Sequence, residues 1–412
     1  MNVNILNNPE FVISKFFQSF SFRDITSLLL IILIFLLLTD GFKVIIEIIH
    51  RAKPRPFTSN PEEVTALIAC HNSANVIQYT LEDLQRTLSS DRIIVVDDGS
   101  TDNTSEIAHK MGVRVYRFEK NKGKVCAINF GIYRVSTKYT LILDDDTRIG
   151  NARMPTSLLD AGYYAVAFNV LPCRRSREIT NGKNLLSCLQ RYEYGKSMEI
   201  GKRFEDATLS VSCISGAAGL FLTERLNAMH HLHSTIFAGE DLERTLIYLL
   251  HQGKVAFVDE NVWTIAPDNL KDLTSQRLLN WGPGYFRNFG EFFKLLRSKG
   301  QPARLKFEMV YNLYVIISDP LKIYSLIALL VYHKWTYLIS IYLFYMSIEL
   351  YPFIVVEKKL PVWKYYLPAY LFYPAYGFYN NFIRFLSVFV WFWGRFVTKK
   401  MKHKGSPEDR IE

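Results

Sequence analysis

Apolar and polar positions divide this chain into two kinds of segment. From Ile25 to Ile49 about 25 residues run almost wholly apolar, long enough to span a bilayer as a helix. Asp40 and Lys43 interrupt that run, and Pro54 and Pro56 end it. Residues 61–300 read as mixed globular protein. Short apolar runs at Val64–Cys70, Arg92–Val96, Val113–Phe118 and Tyr139–Leu143 predict buried strands. Between them, Val76–Leu88, Thr101–Met111 and Lys124–Val135 read as helices, the first through the spacing of Ile77, Leu81, Leu84 and Leu88. Alternating strand and helix predicts an α/β parallel sheet covered by helices. Beyond it, Ala165–Leu171 reads as a strand, while Leu185–Ile200 and Glu240–Leu250 read as helices. Thr274–Trp281 is helical in tendency and is expected to break at Gly282-Pro283-Gly284.

From Tyr285 the pattern turns membrane-like again. Phe286–Phe307 mixes aromatic and basic residues in a way that suits an amphipathic helix on an anionic leaflet. Met309–Tyr332 and Trp335–Val356 are expected to be spans. Pro361–Val397 is too long for one straight span and carries Pro368 and Pro374, so it reads as one kinked span or a tight pair. Phe11–Phe22, with scattered aromatics, suits the membrane interface. No signal-peptide layout precedes it.

Charge changes the picture in one respect. The 412 residues carry a net charge of +10, which could point to nucleic acid. Much of the surplus instead flanks apolar segments: Arg51, Lys53 and Arg55 after the first, Lys399, Lys400, Lys402 and Lys404 after the last. Such flanks mark cytoplasmic membrane faces, so no nucleic-acid partner is expected. They place both ends of the soluble part's membrane anchors inside, which an even number of later crossings satisfies; simple counting gives three, and the parity stays open. Five cysteines, an odd number without metal spacing, read as reduced packing thiols.

The chemistry centres on Asp144-Asp145-Asp146 at the end of the strand Tyr139–Leu143. Three adjacent carboxylates repel unless cations or hydrogen-bond donors offset them. Asp144 and Asp146 share one face of an extended chain, a spacing suited to a divalent metal with hard oxygen ligands, Mg²⁺ or Mn²⁺ bridged to a diphosphate. The plainer reading is a solvated acidic turn. Other motifs fall at strand ends too, where α/β sheets bind ligands: His71-Asn72, and Asp97-Asp98 before Gly99-Ser100, which also suits a turn and helix N-cap.

Taken together, TALIACHN at 65–72, VVDDGSTDNT at 95–104, NKGKVCAIN at 121–129, LDDDT at 143–147 and Gly239-Glu240-Asp241 resemble the ordered signature of family 2 inverting glycosyltransferases with a GT-A fold. The membrane layout is similar to the membrane-embedded polysaccharide synthases, the bacterial poly-N-acetylglucosamine synthases above all through Tyr373-Pro374-x-Tyr376, Asn380 and the Lys-rich tail. The resemblance implies that Ala69, His71, Asn72, Asp97 and Asp98 bind the base and ribose of a UDP-sugar, with Lys124 facing its diphosphate. It implies Asp144 and Asp146 as metal ligands, Asp145 as a packing group, and Asp241, with Glu240, as the general base of an inverting transfer. The small-residue stretch at Ser215 and Gly216 lets a substrate approach. One departure stands out: processive members carry Gln-x-x-Arg-Trp, whereas here Arg277 holds the Gln position, Asn280 the Arg position, and Trp281 is kept.

The expected organisation is an interfacial segment and transmembrane helix at 1–50, a cytosolic GT-A domain at 51–284, an amphipathic segment at 285–307, a membrane region at 308–398 and a basic tail at 399–412. The expected product is a β-linked polysaccharide, extended from a UDP-sugar (UDP-N-acetylglucosamine favoured) at the inner face of the cell membrane and passed through the protein's own spans. Membrane lipids are expected partners, and a small accessory membrane subunit is possible. The altered motif at 276–281 motivates an alternative, transfer of one sugar to a lipid as in ceramide glucosyltransferases. A non-catalytic membrane scaffold is the third reading.

Overall fold

The computed structural model describes residues 25–173, 185–234, 239–359 and 363–397. The expectations for Phe11–Phe22 and the 399–412 tail lie outside the described residues. Strands β1 (Val64–Cys70), β2 (Ile93–Asp97), β3 (Arg114–Arg117), β4 (Tyr139–Asp144), β5 (Ala165–Cys173), β6 (Ala218–Leu222) and β7 (Val255–Ile265) form one sheet in the order β3-β2-β1-β4-β6-β5-β7. Every residue of β1 and β2 is buried. Helices cover both faces of parallel strands, so such strands need no polar alternation. The sheet is mostly parallel, as expected; β6 alone runs antiparallel to its neighbours β4 and β5.

Register aligns the site. Cys70 pairs with Asp97 and Ala69 with Asp144, so β1, β2 and β4 deliver their carboxyl ends to one edge. Because β6 is antiparallel, Leu143 pairs with Ala218. The loop entering β6, Ser215 to Ala217, therefore meets the end of β4. The Asp144 N–H donates to the Ala217 carbonyl at 3.3 Å.

Helix α1 (Ile25–Ile49) precedes the sheet, and α2 (Lys124–Ile132), α3 (Leu185–Lys196) and α4 (Glu240–Leu250) are interleaved with its strands. Towards the C-terminus lie α5 (Phe289–Arg297), a short amphipathic helix, and the long α6 (Ala303–Val331) and α7 (Trp335–Lys359). The last described helix is α8 (Trp363–Val397). Thr26–Ile49, Ala303–Val331 and Trp335–Val356 are long and apolar enough to cross a membrane. The two alternatives for Pro361–Val397 resolve into one helix that contains both prolines. Side chains such as Phe35, Phe42 and Ile317 remain exposed on these helices, as lipid rather than water would require. Charges within the helices are paired: Lys322 Nζ lies 2.5 Å from Asp40 Oδ2, and Arg384 Nε 2.6 Å from Asp319 Oδ2, the usual resolution for intramembrane charge.

The amphipathic stretch divides at Ser298, which leaves the helical conformation, and α6 starts at Ala303 after the N-cap Pro302. One expectation changes. Gly282-Pro283-Gly284 does not break the chain. Leu270–Ser275 continues through a π-helical turn, Gln276–Trp281, into Gly282–Arg287. Pro283 directly follows that π-helical turn, whose shifted bonding pattern accommodates a proline inside a continuing helix.

Candidate active site

The cleft is built where β1, β2, β4 and the β6 entry converge. β1 runs into His71 and Asn72, both exposed. His71 Nδ1 donates to the Asp98 carbonyl at 3.0 Å, which leaves Nε2 to accept from Asn72 Nδ2 at 3.1 Å. Asn72 takes a positive φ of 55° and turns its Oδ1 to the Thr101 N–H at 2.8 Å. Ala69 lies one residue inside, buried in β1 beside Asp144.

The two aspartates after β2 differ from the expectation that both face a nucleotide. Asp97 is fully buried; its Oδ1 accepts the Ser100 N–H at 2.8 Å and its Oδ2 accepts the Ser105 hydroxyl. It builds the turn and has no face on the cleft. Asp98 is 3% exposed, and its two oxygens accept the N–H groups of Lys122 at 2.7 Å and Gly123 at 2.8 Å. Burial pushes its carboxyl up while these two bonds pull it down, with a net rise. Asp98 thereby fixes the loop that launches α2 and its first residue, Lys124.

Lys124 is the hub. Its Nζ lies 2.5 Å from Asp144 Oδ1 and 3.0 Å from Glu240 Oε1. Burial works against its charge, but the two carboxylates more than offset this and hold its pKa well above the ordinary lysine value. Gly216 stands in the middle of the same cluster. A methyl group added there would lie 3.3 Å from Lys124 Nζ and 3.6 Å from both Asp144 Oδ2 and Asp241 Oδ2. Ser215, beside it, accepts the Ala217 N–H on its Oγ at 3.3 Å. Lys124, Asp144, Glu240, Asp241 and Gly216 thus come together from four separate stretches of chain.

The acidic run divides by environment. Asp145 bonds to the Ser73 hydroxyl through its side chain and to Thr80 Oγ1 through its carbonyl, at 2.8 Å; it packs inward. Asp146 accepts from Thr264 Oγ1 at 3.1 Å. Burial, then the charges of Asp144 and Asp145, push its carboxyl up to about 7. Among the described residues no three His, Cys, Asp or Glu side chains converge on one metal position. Asp144 and Asp146 offer two hard oxygen groups, and the crowding that lifts Asp146 is negative charge that a dication would offset. The pair therefore fits a divalent ion completed by phosphate and water.

Glu240 and Asp241 open α4 and part company electrostatically. Glu240 is held down to about 2 by Lys124, against the effect of burial. Asp241 is pushed up, first by burial and then by the Glu240 charge, with Lys124 and two N–H donors opposing. Those donors are Gly216 N to Oδ2 at 3.0 Å and Leu242 N to Oδ1 at 2.7 Å. The expectation of a shared catalytic role narrows accordingly: Glu240 is a lysine partner, and Asp241 is the more basic carboxylate.

The residue before them is equally constrained. Gly239 has φ +79°, and a methyl group there would sit 2.8 Å from Gly284 Cα. Asn288, buried, ties the two segments by donating to the Gly284 carbonyl at 2.9 Å and the Gly239 carbonyl at 3.3 Å. Gly239→Ala is expected to lose most activity and lower the midpoint of thermal unfolding by several degrees. Left-handed strain alone costs about 1–2 kcal/mol, and the backbone contact adds to it. A melt and a rate measured on the same preparation check this.

Arg277 does not reach toward the carboxylates. Its Nη1 donates to Glu193 Oε1 at 2.9 Å, and its Nη2 to Glu193 Oε2 at 2.5 Å and Tyr376 Oη at 2.9 Å. Its guanidinium lies 5.1 Å from the Trp281 ring centroid. Glu193 binds both of its terminal nitrogens, so Arg277 does not stand in for the arginine that Asn280 replaces. Trp281 is 45% exposed. The ring of Tyr194 lies 6.3 Å from it between centroids. Burial and the charge of Glu193 push its hydroxyl up, Arg277 opposes, and Asp146 and Asp144 add to the rise. Sequence reading missed Glu193, Tyr194 and Asn288; a buried asparagine after a glycine-rich turn was the one available signal.

The mostly parallel sheet, with carboxylates and a lysine converging beyond β1, β2 and β4, has GT-A architecture. Residues 65–197 match the model of glycosyl transferase family 2. A poly-beta-1,6-N-acetyl-D-glucosamine synthase of Staphylococcus aureus (strain MSSA476) is 26% identical over 280 residues, 64% of this chain and 66% of that one. Its counterpart in Staphylococcus epidermidis is 27% identical over 234 residues, 54% of each chain. The chain thus spans just under two thirds, or less, of these relatives. A mannosyltransferase from Pyrobaculum calidifontis, solved with GDP-Man and Mn²⁺, superposes with a TM-score of 0.52 at 16% identity, over 84% of this chain and 98% of that one; it shares the fold. The chain therefore carries a glycosyl transferase family 2 domain at residues 65–197.

Proposed function

We propose that this chain is a membrane-bound inverting glycosyltransferase that uses UDP-N-acetylglucosamine to extend a β-linked polysaccharide. The observation that carries the reading is Lys124 spanning Asp144 and Glu240 with Asp241 across the Gly216 gap. One side of that gap holds a cation for a leaving diphosphate, the other a basic carboxylate for an incoming alcohol. The similarity to poly-N-acetylglucosamine synthases supports the donor and the product.

In this mechanism Asp241 accepts the proton of the acceptor hydroxyl as its oxygen forms the new bond to the anomeric carbon. The bond from that carbon to the diphosphate oxygen breaks from the opposite face, and the nucleoside diphosphate departs with the electron pair. Lys124 stabilises the charge that develops on it. Gly216 leaves room for the reacting centre, and its N–H aims Asp241. Asp144 and Asp146 would hold Mg²⁺ or Mn²⁺, which supplies further charge neutralisation for the departing diphosphate. His71 and Asn72, exposed at the mouth, are placed to meet the base and ribose, with Asp98 as the scaffold of that wall. The long apolar helices and the basic flank at Arg51, Lys53 and Arg55 support a multi-pass protein with this domain on the cytosolic side, from which the product is extruded.

Full-length protein in lipid, given labelled UDP-N-acetylglucosamine and Mn²⁺, is expected to release UDP and form long product. EDTA is expected to reduce UDP release at least about tenfold, and added Mn²⁺ or Mg²⁺ to restore it. Asn280 in the place of a diphosphate-binding arginine favours the second reading, transfer of a single sugar to a lipid. A labelled glycolipid without polymer would establish that reading and overturn the first.

A further inference from the structure

The cluster around Arg277 does a job that the reaction above leaves unexplained. Its members come from three elements. Glu193 lies on α3, Arg277 on the π-helical turn Gln276–Trp281, and Tyr376 on the long C-terminal helix α8. The bonds close a ring: Arg277 donates to Glu193 and to Tyr376 Oη, and the Tyr376 hydroxyl donates to Glu193 Oε2 at 2.8 Å. Arg277 is 8% exposed, so its charge is compensated almost wholly inside this ring. The guanidinium presses on the Trp281 indole at 5.1 Å and on the Tyr376 ring at 5.5 Å. Trp281 itself is half exposed, and the ring of Tyr194 lies 6.3 Å from it between centroids. Below the ring, Tyr373 and Tyr376 of α8 pack with Tyr192, Leu189 and Leu273 in one buried cluster.

We propose that Tyr376, acting through Glu193 and Arg277, is a positioning residue that orients Trp281 as the platform for the acceptor sugar. This deepens the proposed function and rests on its reading of a glycan acceptor. An exposed indole suits the apolar face of a pyranose ring, but only if its orientation is fixed before the sugar arrives. Here the orientation is set by a bidentate, fully enclosed guanidinium. Helix α8 supplies the hydroxyl that completes the carboxylate's partners. Acceptor grip is therefore tied to the placement of α8, while the donor is held separately by Lys124 and the carboxylates.

The test uses the full chain in lipid nanodiscs with UDP-N-acetylglucosamine, Mn²⁺ and a β-linked N-acetylglucosamine trisaccharide as primer, followed by UDP release. Tyr376→Phe keeps the ring and removes one hydroxyl. It is expected to raise the KM for the trisaccharide about fivefold, the effect of one hydrogen bond lost, with the donor KM within twofold of wild type. Trp281→Phe is expected to weaken primer use more, and adding Tyr376→Phe to it is expected to change little further, because the tyrosine acts through the tryptophan. An unchanged primer KM in Tyr376→Phe, an equal rise in donor KM, additive effects in the double variant, or a wild type that the primer does not stimulate would each overturn the proposal. A wild type that releases no UDP at all overturns the proposed function instead, a separate result read before any variant is compared.

Discussion

Asp241→Asn is expected to lower kcat by about 10²–10⁴-fold, the range for loss of a positioned general base, while donor affinity stays within a few fold. The geometry separates the two effects. Asp241 receives the Gly216 and Leu242 N–H groups and makes no ion pair with Lys124, whose partners are Asp144 and Glu240. Losing the charge at 241 therefore leaves the diphosphate side intact. The pH dependence follows from the direction of the shift. Burial and Glu240 raise Asp241 above the ordinary carboxylate value, and only its ionised form can take a proton. Activity is present at higher pH and lost as pH falls through that raised value, earlier than for an exposed aspartate. Glu240→Gln removes a neighbouring negative charge, so it is expected to move this acid limb to lower pH. A rate profile on wild type and both variants checks the sign. Full turnover in Asp241→Asn would remove the residue from the mechanism.

Much of this was legible because the signal is local. β1 and β2 are continuous apolar runs, and strands buried on both faces are written that way. The acidic run sits at a strand end, and parallel register necessarily gathers such ends on one edge. The less legible parts depend on which groups meet across long separations. Asp97 and Asp98 look alike in sequence, yet one is sealed in its own turn and the other holds the backbone of residues 122–123. Nothing local shows that Arg277 pairs with Glu193, 84 positions earlier. A helix-interior glutamate gives no sign of its partner. Gly282-Pro283-Gly284 reads as a break under ordinary helix rules. The π-helical turn before it shifts the bonding pattern, and the proline then falls where it is tolerated.

Lys124→Met is the second large effect expected: kcat lower by about 10²–10³-fold and the donor KM raised several fold. The methionine keeps most of the side chain and removes the ammonium that contacts both Asp144 and Glu240. Two consequences distinguish this from simple loss of a binding contact. Glu240, held down to about 2 by the lysine, returns toward its ordinary range, and Asp241, which the lysine also pulls down, rises further. The acid limb of the rate profile should therefore move to higher pH, opposite in sign to the Glu240→Gln shift. Lys124→Arg restores the charge but is expected to recover little. The gap at Gly216 leaves 3.3 Å between an added methyl and the present Nζ, and a guanidinium is broader and differently hydrated than an ammonium. If arginine rescued the rate fully, charge alone would suffice and the close fit around Gly216 would lose its role. If methionine raised only the donor KM, the lysine would bind ground state and transition state alike, and the stabilisation of the leaving diphosphate would have to come from elsewhere in the cleft.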